Sequence, residues 1–273
     1  MNRYILMLCL AFLMVGQTVS AKHKPKTHVY FGTYTDSGSK GIYHYLFDSS
    51  TGVLKFVDVT GGIKNPSFLK ISPDRKYLYS VAEGDSFNGE RGGGVAAFMI
   101  GKKGSLVKIN DALSIGAYPC HVNVSPDGKE VVTANYGGGN LAVYNVLADG
   151  GVSPIRQLIQ HEGKGVDPER QSAPHAHSTQ FDAGGTHLFA ADLGIDKLFI
   201  YRFNGMLGKY IPSEQPFVKM EPGAGPRHFA FTRKQDMIYV INELNSTVSV
   251  LVKNEDGFQK IQDISSLPEG FDG

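Results

Sequence analysis

Four stretches of this chain superimpose without gaps: "ISPDRKYLYSVAE" (71–83), "VSPDGKEVVTANY" (124–136), "FDAGGTHLFAADL" (181–193) and "FTRKQDMIYVINE" (231–243). Their starts lie 53, 57 and 50 residues apart. A repeat of this length constrains the fold more than any local propensity, because one unit cannot bury its own apolar faces and must stack on its copies. Each stretch opens on an apolar residue, turns through Pro, Asp, Gly or charged residues, and returns as an alternating strand, which describes a β-hairpin. A second alternating pair follows each hairpin: "GGVAAFMIGKKGSLVKI" (93–109), "NLAVYNVLADGGVSPIRQL" (140–158), "KLFIYRFNGMLGKYI" (197–211) and "TVSVLVKNEDGFQKI" (247–261). Gly, Lys, Asp and Asn join the halves, as tight turns require. The unit is therefore four antiparallel strands in about fifty residues, with no competing helical periodicity. Sheets of this size arranged radially make an all-β fold, the β-propeller. A flat array of meanders would leave long apolar edges unpaired.

The first unit is short. "HVYFGTYT" (28–35), "GIYHYLFD" (41–48) and "GVLKFVDV" (52–59) match the second, third and fourth strands, and no inner strand precedes them. The last unit ends after its fourth strand, at "LPEGFDG". About five four-stranded antiparallel blades are thus expected, one of them incomplete. Where a propeller closes by exchanging a strand, the missing inner strand would lie beyond Gly273, so the chain reads as truncated at its C-terminus. At the other end, Arg3, an apolar run from Tyr4 to Val15 and the small residues Val19-Ser20-Ala21 read as a secretory signal peptide, residues 1–21. The run is too short for a membrane anchor, which needs roughly 18–20 apolar residues. The propeller domain is then 22–273, exported to a periplasmic or extracellular location and free of the membrane after cleavage. The formal charge of +1 falls to 0 when Arg3 is removed, which gives no footprint for nucleic acid. Cys120 is the only cysteine outside the signal, so no disulfide is available, and a lone Cys reads as a buried apolar residue rather than a nucleophile.

Polar residues collect at the start of each inner strand, in "NPSFLKI" (65–71), "YPCHVNV" (118–124), "APHAHSTQF" (173–181) and "GPRHFAF" (225–231). Counting back from the last apolar residue makes Ser67, Cys120, His177 and Arg227 equivalent, with two extra residues in the third repeat. The second strand of each hairpin is antiparallel to the first, so its end, Asn135-Tyr136, Asp192-Leu193 or Asn242-Glu243, lies at the same mouth. His175, His177, Asp192, Arg227, His228 and Glu243 are therefore expected to approach one end of the central channel, a gathering that suits a ligand site. A zinc pair at His175 and His177 would need further ligands, and His161, Asp192 and His228 have no fixed spacing to them, so no metal is assigned. His44 and His187 read as surface or satisfied residues, and Asp74 and Asp127 as turn formers. The glycine runs "NGERGGG" (88–94) and "NYGGGN" (135–140) open no helix and are connectors, although at this mouth they would let a substrate approach the backbone. No G-x-S-x-G element is present, which argues against serine catalysis.

"YFGTYT", "NPSFL", "SPDRKYLYSVAE", "SPDGKEVVTANYGGGN", "APHAHS", "GPRHFAF" and "YVINEL" together resemble the lactonase family of seven-bladed propellers. That family includes propeller-type bacterial 6-phosphogluconolactonases and fungal carboxy-cis,cis-muconate lactonizing enzymes. WD-type propellers are excluded by the absence of Trp. The resemblance covers about residues 28–273 and implies a site built from His175 or His177, Arg227 and Glu243, together with an arginine from a later blade that this chain does not reach. It implies hydrolysis of a sugar lactone, 6-phospho-D-glucono-1,5-lactone in the named relatives, without a metal or organic cofactor. Histidine is the expected base and Arg227 the anion anchor, with His228, Asp192, Asn135 and Tyr136 as substrate-binding residues. A muconate-type cycloisomerase would use the same Arg and Glu, and a non-catalytic propeller would bind a partner or glycan through the same mouth.

Overall fold

The computed structural model describes residues 26–271, so the expected export signal, 1–21, lies outside the described residues. The first sheet holds β1 (Thr27–Phe31), β2 (Ile42–Asp48) and β3 (Val53–Thr60). The second holds β4 (Leu69–Ile71) and β5 (Tyr77–Ala82), then, after a small hairpin β6 (Ser86–Phe87) and β7 (Glu90–Arg91), β8 (Gly94–Ile100) and β9 (Leu106–Leu113). In the third are β10 (Pro119–Val124), β11 (Glu130–Asn135), β12 (Asn140–Val146) and β13 (Val152–Gln160). The fourth comprises β14 (Ala176–Phe181), β15 (His187–Asp192), β16 (Lys197–Asn204) and β17 (Lys209–Lys219). The fifth comprises β18 (Pro226–Phe231), β19 (Met237–Asn242), β20 (Thr247–Asn254) and β21 (Gly257–Ser265). Within every sheet the strands pair antiparallel in chain order, as the repeat predicts.

The apolar side chains sort into clusters that each lie between consecutive sheets. Ile42 meets Leu78 and Phe98; Tyr79 and Val95 meet Val122 and Tyr144; Val132 and Leu141 meet Leu188 and Tyr201; Phe189 and Leu198 meet Phe229 and Leu251. Strands flanked on both sides bury both faces, so β11 sends Val131 to the second sheet and Val132 to the fourth. That is why these strands read as apolar runs. β19 is an apolar run too, but among the described residues it is flanked on one side only, so its burial alternates: Ile238 and Val240 are buried, whereas Tyr239 and Ile241 are 42% and 46% exposed. Between the fourth and fifth sheets, Phe189 sits edge-on to Phe231 (4.9 Å) and Phe258 (5.8 Å), each such pair being worth about 0.5–1.5 kcal/mol beyond its buried area.

Asp74 and Asp127 are the turn formers the sequence suggests. Asp74 Oδ1 accepts from Ser72 Oγ (2.6 Å) and the Lys76 N–H (3.1 Å), and Asp127 Oδ1 accepts in the same way from Ser125 and Lys129. His187 is half-buried on its turn beside Asp182, but His44 is wholly buried, stacked on Tyr30 and hydrogen-bonded to His28 Nδ1 (2.7 Å).

Candidate functional site

A β-bulge at the start of the inner strands β10, β14 and β18 sets the site. Pro119 pairs with Asn135 and His121 with Ala134, leaving Cys120 unopposed; His177 and Arg227 are left unopposed in the same way in the fourth and fifth sheets. In the second sheet the Val81 N–H donates to the Phe68 carbonyl, which puts Ser67 at the matching position. The rung read from the repeat, Ser67, Cys120, His177 and Arg227, is thus the bulge rung. A bulge adds a residue and re-aims its side chain. As a result, both Arg227 and its neighbour His228 reach the same cavity instead of opposite faces.

The turn ahead of each bulge is closed by one repeated bond. The N–H groups of Glu83, Tyr136, Leu193 and Glu243 donate to the carbonyls of Asn65, Tyr118, His175 and Gly225. Asn65, Tyr118 and Gly225 all have positive φ (41°, 53° and 66°). At Gly225 a side chain is also excluded by space, since a Cβ would meet Leu244 Cγ at 2.5 Å. Glu83, Tyr136 and Glu243 therefore share a rung at the channel mouth. Tyr34 joins them: Tyr30 and Tyr79 donate alike to Gly104 and Gly150 in the next sheet's outer turn, and Tyr34 and Glu83 follow four residues on.

These residues enclose a cavity of about 400 Å³ lined by all five sheets. Arg227 and Glu243 form one wall, Tyr34, Ser67 and Glu83 another, with Cys120 and Tyr136 between. Phe68, His177 and His228 complete the lining. His228 packs 5.1 Å from His177 and 5.5 Å from the deeper, buried His121. Arg170 enters from the long connection between β13 and β14.

Glu243 lies between two guanidinium groups: its Oε1 accepts from Arg170 Nη2 (2.5 Å) and its Oε2 from Arg227 Nε (2.7 Å). Desolvation, the largest influence on Glu243, would raise its pKa, but the hydrogen bonds and charges of Arg170 and Arg227 together hold it below the usual carboxylate range. Bonds to Glu243 and then Tyr136 keep Arg170 firmly protonated. Burial, then the charge of Arg227 and the neighbouring His228, lowers His177 to about 3, and burial with Arg227 lowers His228 to about 4. Both imidazoles are neutral at pH 7. Burial pushes the Cys120 thiol well up, and its Sγ lies 3.3 Å from the His177 carbonyl oxygen, which agrees with an inert thiol.

The expected site residues divide into two groups. His177, Arg227, His228, Glu243 and Tyr136 line the cavity. His175, Asp192 and Asn135 do not. His175 stacks on Tyr136 (4.3 Å) with Nδ1 on its carbonyl oxygen (2.9 Å). Asp192 is fully buried and accepts from the His175 N–H, the Gly194 N–H and His161 Nδ1 (2.6 Å). Asn135 is buried against Ser114 and Asn140. The reason is alternation along the strand: Asn135 and Asp192 end β11 and β15 and are buried in the sheet interfaces, while Tyr136, the residue after Asn135, lines the cavity. Among the described residues no three His, Cys, Asp or Glu side chains are grouped so as to hold a metal ion. The glycine connectors pack on neighbouring turns, Gly138 on Gly116 for instance, and none lines the cavity.

Sequence reasoning missed Glu83, Tyr34 and Arg170. Glu83 had a signal, since "SVAE" and "VINE" end the first and fourth superimposed stretches on the same residue. Arg170 had none, because its loop has no counterpart in the other repeats. The loop is fastened by Gln171, whose Nε2 donates to Asp196 Oδ1 (2.7 Å) and the Leu193 carbonyl (2.8 Å). Asp196 also accepts from the N–H groups of Gly223 and Gly225 (2.8 Å each). One buried carboxylate thereby braces the chain next to Arg170 and the turn before Arg227.

A family model described as a lactonase, 7-bladed beta-propeller, matches residues 28–273. The 6-phosphogluconolactonase of Bacillus subtilis (strain 168) is 38% identical over 247 residues, which make up 89% of this chain and 67% of that protein. A 6-phosphogluconolactonase of Formosa agariphila is 32% identical over 224 residues, 81% of this chain and 63% of that one. Among solved structures, the periplasmic gluconolactonase of Pseudomonas aeruginosa superimposes with a TM-score of 0.83 at 32% identity, covering 90% of this chain and 69% of that one.

Proposed function

The chain belongs to the lactonase family of β-propellers, and on that premise we propose that it hydrolyses a sugar lactone at the channel mouth. The observation that carries this reading is the pair of guanidinium groups, Arg170 and Arg227, held by Glu243 beside neutral His177 in a cavity of about 400 Å³. Opening a lactone places negative charge on the carbonyl oxygen, and prearranged cationic donors stabilise that charge most effectively where water is partly excluded. Arg170 and Arg227 supply such donors, and their planar forks equally suit a phosphate or carboxylate on the substrate. Glu243 orients them. His177, neutral and lining the cavity, is a group able to hydrogen-bond substrate or water. His228 and Tyr136 shape the walls, whereas His175 and Asp192 act behind them by holding Tyr136 and the turn.

Relatives named as 6-phosphogluconolactonases support 6-phospho-D-glucono-1,5-lactone as substrate, and the relative named as a periplasmic gluconolactonase supports an unphosphorylated one. Residues 1–21 are proposed to direct export, leaving 22–273 as a lactonase-like propeller domain with fewer blades than the seven of its family. Among the described residues no helix is long and apolar enough to cross a membrane. No step of the hydrolysis calls for a metal or organic cofactor. Acid release from the two lactones, followed at constant pH against the uncatalysed rate, tests the reading. Acceleration of at least one, abolished by Arg227→Ala in a folded protein, is expected; no acceleration of either rejects it.

A further inference from the structure

The cavity has two carboxylates on one rung, Glu243 and Glu83, and their surroundings differ. Glu243 is occupied on both oxygens by arginine. Among the described residues no cationic side chain pairs with Glu83. Its Oε2 accepts from Tyr34 Oη (3.0 Å) and from Ser67 Oγ, which leaves Oε1 without a protein donor. Its backbone is held by the Asn65 carbonyl and the Asn65 side chain, and Asn65 also fastens the turn after Tyr34 through Thr35 and Asp36. Two hydroxyl donors on one oxygen fix the plane of the carboxylate while keeping the other oxygen available. Glu83 and Arg227 belong to different walls, and Cys120 lies within range of both charges. A carboxyl carbon or lactone carbonyl seated between them would have an acceptor of protons on one side and donors on the other.

We propose that Glu83 is the general base of this site, taking a proton on Oε1 from the water that attacks a lactone carbonyl carbon. The inference rests on the lactone-hydrolase reading given above. As the water oxygen bonds to carbon, its proton passes to Glu83 and the carbonyl π electrons move to the oxygen held by Arg170 and Arg227. Collapse of the tetrahedral intermediate breaks the bond to the ring oxygen, and the proton on Glu83 passes to that leaving alkoxide. The product is the open-chain hydroxy acid, and the carboxylate is restored. Neither His177, neutral and only weakly basic, nor Glu243, engaged by two arginines, is as well placed for the proton.

Glu83→Gln preserves shape and removes the base. A fall in kcat of about 10²–10⁴-fold with KM changed less than threefold is expected. Glu83→Ala should regain turnover with added formate. A kcat within threefold of the unaltered protein, with KM raised, would overturn the assignment and make Glu83 a holder of substrate hydroxyls. Ser67→Ala, which removes a donor from the carboxylate and leaves Glu83 itself in place, should lower kcat with KM changed less than threefold, and an unchanged kcat also counts against the assignment. If the unaltered protein accelerates no lactone, the functional reading itself fails, a result distinct from active protein with an indifferent Glu83→Gln variant.

Discussion

Replacing Asp196 by Asn tests whether one carboxylate holds both arginines in register. Asp196 has φ of +53°, a conformation Asn tolerates, so the backbone is not strained by the change. The side chain accepts three hydrogen bonds, from Gln171 Nε2 (2.7 Å), the Gly225 N–H (2.8 Å) and the Gly223 N–H (2.8 Å). Bonds to a charged acceptor contribute about 1.5–3 kcal/mol net and neutral ones about 0.5–1.5 kcal/mol. An amide keeps one acceptor oxygen and turns an NH₂ toward at least one N–H, leaving a buried donor unmatched at about 1–3 kcal/mol. Allowing for relaxation, Asp196→Asn should lose about 2–4 kcal/mol in urea unfolding. Gln171 adjoins Arg170, and Gly225 is two residues before Arg227, so the same loss loosens both guanidinium groups. A displacement of about 1 Å at such a group costs about 10²-fold in rate, and kcat/KM on the lactone should fall by roughly that factor. A variant with stability within about 0.5 kcal/mol and kcat/KM within twofold would refute the bracing argument. Lost stability with intact kcat/KM would confine Asp196 to the fold.

The depressed His177 and His228 make stability depend on pH. Between about pH 4 and 6.5 the unfolded chain binds protons at both that the folded chain does not, so stability rises with pH there by up to about 1.4 kcal/mol per unit for each histidine. Urea midpoints across this range should show it, His177→Gln should reduce the slope, and a flat profile would contradict the burial of both rings. Gly225→Ala combines a positive φ with a contact on Leu244 and should cost more than about 2 kcal/mol in urea unfolding; an unperturbed variant would mean the turn before Arg227 is not rigid. The Cys120 thiol should alkylate slowly at pH 8 in folded protein and readily in urea, and fast labelling of the folded state would refute its high pKa.

The four-stranded unit, its antiparallel order and the equivalence of Ser67, Cys120, His177 and Arg227 were all readable from residue patterns, because period-two alternation and turn chemistry act within some fifty residues of chain. The number of neighbours was not readable, since β19 (MIYVIN) is as apolar on successive residues as β11 (EVVTAN) and only its burial alternates. Asn135 and Asp192 were misplaced because the residue that ends a strand and the one after it look alike in sequence and point to opposite sides. Only the tertiary structure decided which side faces the axis, and the bulges that bring Arg227 and His228 to one cavity are visible only in the pairing register. It alone brought in Arg170, since an inserted loop has no partner in the repeat to predict its path. Glu83 ends the first superimposed stretch as Glu243 ends the fourth. Its separation in character from Glu243 came from neighbours distant in sequence, two arginines for one and two hydroxyls for the other, and such neighbours are chosen by the packing of sheets around an axis rather than by any local pattern.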